Sequence, residues 1–96
     1  MADRYPLQNP LAAWRVYDGE AVIVSPADST LHTLNAVGTL VWEAADGRTP
    51  VAAIVARLCS QYDVDAPDAE RDVEGFVETL RDKGLLTLLD APTGTG

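Results

Sequence analysis

The stretch "STLHTLNAVGTLVWEAADG", Ser29 to Gly47, changes character half-way along. Its first half, "TLHTL", sets β-branched threonines among apolar side chains, as a short strand does. In its second half Val37, Leu40, Val41 and Ala44 recur at helical spacing. Asn35 stands at the join, where its side-chain oxygen can accept from an orphan amide of the first turn, so it makes a good N-cap. The stretch predicts a strand over Thr30 to Leu34 and a helix from Asn35 that Gly47 ends.

Working upstream, "AAWRVYDGEAVIVS" places Asp18 and Gly19 between two runs rich in valine, isoleucine and aromatics. An Asp-Gly pair suits a two-residue hairpin turn, in which both central residues take positive φ. Strands are therefore expected near Ala13 to Tyr17 and Glu20 to Val24. "SPADS" then supplies a turn into Thr30 to Leu34, and two short connections in succession give an antiparallel meander with the middle strand central. The third strand is left at an edge, with one row of backbone N–H and C=O groups unpaired.

Downstream, Thr49 and Pro50 read as an N-cap hydroxyl followed by a proline at the first helical position, and Val51, Ile54, Val55, Leu58 and Tyr62 give the second helix an apolar face. Asp65 and Asp68 suit the cap and first turn of a third helix, along which Val73, Phe76, Val77 and Leu80 fall at i, i+3, i+4 and i+7 before Gly84 stops it. Gly75 inside that helix costs about 1 kcal/mol against alanine and suggests a close approach there by a strand, a helix or a peptide backbone, with structural packing the favoured explanation. "LLTLL" after the helix fits either a short strand or a packed extended segment.

Ninety-six residues at 47% hydrophobic content make a single domain. The expected organisation is an N-terminal extension at 1–12, the domain at 13–89 and a flexible tail at 90–96, where "DAPTGTG" is rich in small and turn-forming residues. One cysteine, Cys59, cannot form an internal disulfide, and one histidine, His32, cannot build a multi-histidine metal site. No residue set for catalysis, no metal site and no cofactor motif is recognised. Charged residues and prolines interrupt the N-terminus where a secretory signal needs an apolar run, and no segment is long and apolar enough for a membrane span, so a cytoplasmic protein is expected. The formal charge of −8 disfavours nucleic acid, and between Asp65 and Gly84 seven acids stand against three bases.

The order of short motifs resembles the PqqD family: Leu34 and Asn35 at the strand-to-helix join, Trp42, Asp46 and Gly47 along and after the first helix, Asp72, Val73 and Phe76 in the third, and Gly84, Leu85 and Leu86 after it. The resemblance spans about Glu20 to Leu86. It implies an α+β, winged-helix-like domain, a three-stranded meander followed by three helices, that acts as a recognition element for ribosomally made, post-translationally modified peptides (RiPPs). Such a domain binds the leader segment of a precursor peptide as an added strand between the third strand and the third helix, and presents it to a modifying enzyme such as a radical SAM enzyme or a leader peptidase. On this resemblance the peptide-binding residues are Thr30, Leu31, His32, Thr33 and Leu34 on the strand, and Arg71, Val73, Phe76, Val77, Leu80 and Arg81 on the helix. An exposed strand edge beside a helix is also what β-augmentation needs, whatever the family. His32 alone reads as a histidine at the core margin or a peptide contact, and the apolar helix stripe as core or groove floor. The rival readings are an assembly or regulatory subunit of a larger enzyme and, less well supported by the charge, a winged-helix DNA-binding regulator.

Overall fold

A computed structural model describes residues 4–92. The elements run β1 (Tyr5–Gln8), β2 (Ala13–Tyr17), β3 (Glu20–Val24), β4 (Leu31–Thr33), α1 (Ala36–Ala44), α2 (Val51–Gln61), α3 (Ala66–Asp82) and β5 (Leu86–Leu89). Asp18 and Gly19 both take positive φ, 51° and 79°, and turn β2 back onto β3 with Tyr17 opposite Glu20. The second sharp reversal precedes β4. Ser29 is left-handed at φ 60°, held by its amide donating to Ser25 O, while Thr30 N–H donates to Asp28 Oδ1 at 3.1 Å. Hydrogen bonds from the Thr30 hydroxyl and amide hold the exposed Asp28 carboxyl below its ordinary range. The meander β2-β3-β4 is as expected, with β4 one residue shorter at each end than the sequence suggests.

Asn35 caps α1, accepting from Gly38 N–H at 2.8 Å. The helix ends at Ala44 rather than running on to Gly47, which sits at φ 76° in the following turn and donates its N–H to Pro6 O. Thr39 of α1 joins the helix to the sheet: its buried hydroxyl accepts from Ala21 N–H at 2.7 Å and donates to Leu34 O at 3.4 Å. It thus closes the ladder where β4 peels away. The second helix departs from the expected cap. Pro50 occupies the N-cap position, and Thr49 turns instead to Asp46, whose carboxylate accepts from Arg48 N–H, Thr49 N–H and the Thr49 hydroxyl at 2.8, 2.8 and 3.2 Å. A carboxylate three residues upstream is a stronger acceptor than the threonine hydroxyl can be a cap.

Partial desolvation pushes the Asp46 carboxyl up, but these hydrogen bonds outweigh it and hold it below the usual value. Asp46→Ala is expected to cost about 1 kcal/mol in urea unfolding at neutral pH, the scale of a lost cap. Because the folded-state pKa is the lower one, this contribution is present above the unfolded value of about 4 and fades as pH falls through it. The difference between wild type and variant should therefore narrow below about pH 4.

The "LLTLL" segment is a strand, and it pairs neither with β4 nor with the meander. β5 runs antiparallel to β1, with Tyr5 opposite Leu89 and Gln8 opposite Leu86, as a separate two-stranded sheet. Part of the expected extension at 1–12 is thus built into the domain. Gln8 N–H donates to Ala45 O, Asn9 N–H to Leu85 O, Val51 N–H to Arg4 O, and the Gln8 side chain to Trp42 O at 2.8 Å. Of the expected tail at 90–96, residues 93–96 lie outside the described residues.

The core lies between the meander and the helices, around Ile23, Val41, Trp42, Ile54, Leu58, Val73, Leu80, Leu85 and Leu86, all fully or nearly fully buried. Trp42 meets Trp14 edge-to-face at 5.9 Å, and its indole N–H has no hydrogen-bond partner among the described residues. Trp14 and Tyr17 are themselves exposed, since β2 is the outer strand of the meander. No helix among the described residues is long and apolar enough to cross a membrane.

Candidate functional site

The phase of the β3–β4 ladder follows from the bonds that bracket it. Ser25 N–H donates to Thr30 O and Leu34 N–H to Ala21 O. In an antiparallel pair the bonded positions alternate, so His32, opposite Ile23, is the bonded residue between these two. The N–H and C=O groups of Leu31 and Thr33 consequently point away from the sheet. Among the described residues β4 has β3 as its one strand neighbour, and these groups border no other strand. The edge is short, closed at one end by left-handed Ser29 and at the other by the capping Asn35.

Side chains follow the same alternation. His32 shares the inner face with fully buried Ile23 and is half-buried, whereas Leu31 is 65% exposed. Beside this edge runs an open groove of about 640 Å³ between β4 and α3. Leu31, His32, Thr33 and Leu34 form one wall. The other is a stripe of α3 at steps of three and four residues: Arg71 and Asp72, Gly75 and Phe76, Thr79 and Leu80, and finally Lys83 just past the helix. The groove is apolar along its floor and charged at its ends, in a chain whose formal charge is −8.

Seven of the expected residues meet here: Leu31, His32, Thr33, Leu34, Arg71, Phe76 and Leu80. Four do not. Val73 and Val77 are 0% and 3% exposed and turn into the core, because on a helix the face that packs on α1 and α2 is rotated from the one that looks at β4. Thr30 lies before the strand and spends its backbone on Ser25 and Asp28. Arg81 lies off the groove and pairs with Glu78 at 3.3 Å. Arg71 reaches Asp68 only at 3.9 Å with both side chains largely exposed, a contact worth little that leaves the guanidinium available.

The groove also takes in Asp72, Gly75, Thr79 and Lys83, none of them among the expected site residues. Thr79 carries no apolar signal, and Gly38, which stands behind Phe76, lies on a different element. A Cβ built on Gly38 would stand 2.5 Å from Cε1 of Phe76, so this glycine is what lets the ring lie back against α1. Gly38→Ala should push the Phe76 ring out into the groove. We expect a melting temperature lowered by a few degrees, about 1 kcal/mol of overpacking partly offset by better helix propensity, and a weakened ligand in a binding titration.

The sequence profile of the family described as "Coenzyme PQQ synthesis protein D (PqqD)" matches residues 20–86, the span from β3 through the start of β5. The chain belongs to the PqqD family. Among solved structures, this PqqD-family chain is similar to one titled "TbiB1 in Complex with the TbiA(beta) Leader Peptide", at 30% identity and a TM-score of 0.77 over 83% of this chain and 93% of that one. It is also similar to "Lasso peptide synthetase B1 complexed with the leader peptide", at 25% identity and a TM-score of 0.73 over 85% of this chain and 96% of that one. A search of curated proteins finds no significant match. The α+β reading and the family reading thus agree with fold and profile together.

Proposed function

We propose that this PqqD-family chain is a RiPP recognition element: a non-catalytic adaptor that holds the leader segment of a precursor peptide along β4, over the α3 groove, and presents the attached core peptide to a modifying enzyme. The observation that carries this reading is the free edge of β4 facing a groove floored by Phe76 and Leu80, in a chain similar to two proteins solved with leader peptides bound. The partner enzyme would be a radical SAM enzyme or a leader peptidase. The adaptor acts by tethering, which raises the effective concentration of the core peptide at that enzyme without any bond being made or broken here.

The edge also sets the energetic terms. Leu31 and Thr33 offer two donors and two acceptors, and backbone bonds contribute about 1 kcal/mol each, less than the entropy lost by a leader that orders on docking. Apolar side chains of the leader must therefore supply the balance in the groove, for a dissociation constant in the roughly micromolar to sub-micromolar range. A DNA-binding reading would set the acidic α3 against phosphates.

The test is an NMR titration of the labelled chain with the leader of its own precursor and, for comparison, the TbiA(beta) leader. Amides of Leu31 and Thr33 should shift and gain protection from exchange, together with shifts along Asp72, Phe76 and Thr79. Binding that leaves the Leu31 and Thr33 amides unmoved would rule out strand addition at this edge.

A further inference from the structure

Gly75 sits inside the seventeen-residue helix α3, and the fold offers no reason for it. Its φ is not in the left-handed region, so the backbone does not require glycine. A Cβ added there would meet nothing within 4 Å among the described residues, so no packed neighbour requires it either. The contrast with Gly38, whose added Cβ would run into Phe76, is direct. A mid-helix glycine with neither reason weakens the helix and gains nothing inside the monomer. What the missing side chain does leave is room on the groove wall, next to Phe76 and one turn from Asp72 and Thr79, facing β4.

We propose that Gly75 is a specificity-determining position: a notch in the α3 wall that admits a large apolar side chain of the bound peptide, seated against Phe76 and Leu80. This rests on the leader-binding reading and adds to it the residue that sets the size of the accepted side chain. The peptide position opposite the notch must be large while residue 75 is glycine, and must become small once residue 75 is large.

That reciprocity gives the experiment. A library of random peptides displayed on their own mRNA is selected against the full chain, against Gly75→Leu and against Thr33→Pro. Against wild type the selection should yield a motif with one large apolar position. Against Gly75→Leu that position alone should change to glycine or alanine. A peptide selected on wild type should bind Gly75→Leu about 30-fold more weakly, the worth of one buried large side chain, and replacing its large residue by alanine should restore most of the loss. Gly75→Ala should meanwhile raise the melting temperature by about 4 °C, and Gly75→Leu should not lower it, which separates lost binding from lost folding. The same motif from both selections, bound with equal affinity, overturns the role of Gly75 while leaving the groove in place. Peptides whose binding is indifferent to Thr33→Pro overturn strand addition at β4, and the notch falls with it.

Discussion

Thr33→Pro is expected to leave the fold standing and to weaken leader binding about 50-fold, the effect of one lost hydrogen bond plus the obstruction of a ring where the incoming carbonyl should lie. The asymmetry comes from the ladder. Thr33 N–H points away from β3, opposite the unbonded partner Val22, so no bond of the monomer is deleted. An edge strand is also where proline is tolerated. His32, which precedes it, is already extended, as a residue before proline prefers. The melting temperature should fall by only a few degrees. His32→Pro is the control: it removes a donor that faces β3 and should destabilise the sheet itself. Full leader affinity in a folded Thr33→Pro chain would mean that the peptide lies elsewhere.

The second large effect is at the other end of the molecule. A chain begun at Pro10 should melt at least about 15 °C lower, or without a cooperative transition. Deleting Arg4–Asn9 removes fully buried Pro6 and strips the whole partner from β5, leaving Leu86, itself 2% exposed, facing water. It also orphans two acceptors, Ala45 O just after α1 and Leu85 O before β5, and takes from Trp42 O within α1 one of its two donors, the other being Ala45 N–H. Each buried carbonyl left without a donor costs roughly 1–3 kcal/mol. Circular dichroism against temperature measures this directly, and a melting temperature within a few degrees of the full chain would mean that β1 is dispensable.

That segment is also where the sequence was least legible. "YPLQ" has a proline in second place and no alternation to mark a strand, and its partner lies some eighty residues away, with Tyr5 opposite Leu89. Pairing at that separation leaves no local pattern to read. The meander was legible because each of its parts is local: Asp18 and Gly19 for the hairpin, Asn35 for the start of α1, and short connections that force β4 to the edge. Local rules failed where a neighbour offered something better, as when Asp46 drew Thr49 away from capping α2. Within the site, apolar periodicity found the buried face of α3 and so named Val73 and Val77, while the wall that looks at β4 is mixed in chemistry, with Asp72, Gly75 and Thr79. Phe76 and Leu80 were found because they serve both faces. The helix cost of Gly75 was legible in the sequence, but its reason was not, because the space beside its Cβ position is open to the groove and holds no packed neighbour among the described residues.

The brevity of the β4 border, three residues stopped by Ser29 and Asn35, has a metric consequence. A guest strand moved along by two residues would meet the same two donors and two acceptors again, so the border alone does not set its phase, and the side chains seated in the groove have to do so. Where those side chains fix the phase, every residue that trails from the dock would be held at a countable distance from it. A partner enzyme could therefore find its target by tape measure, with the length of the intervening chain specifying where it acts.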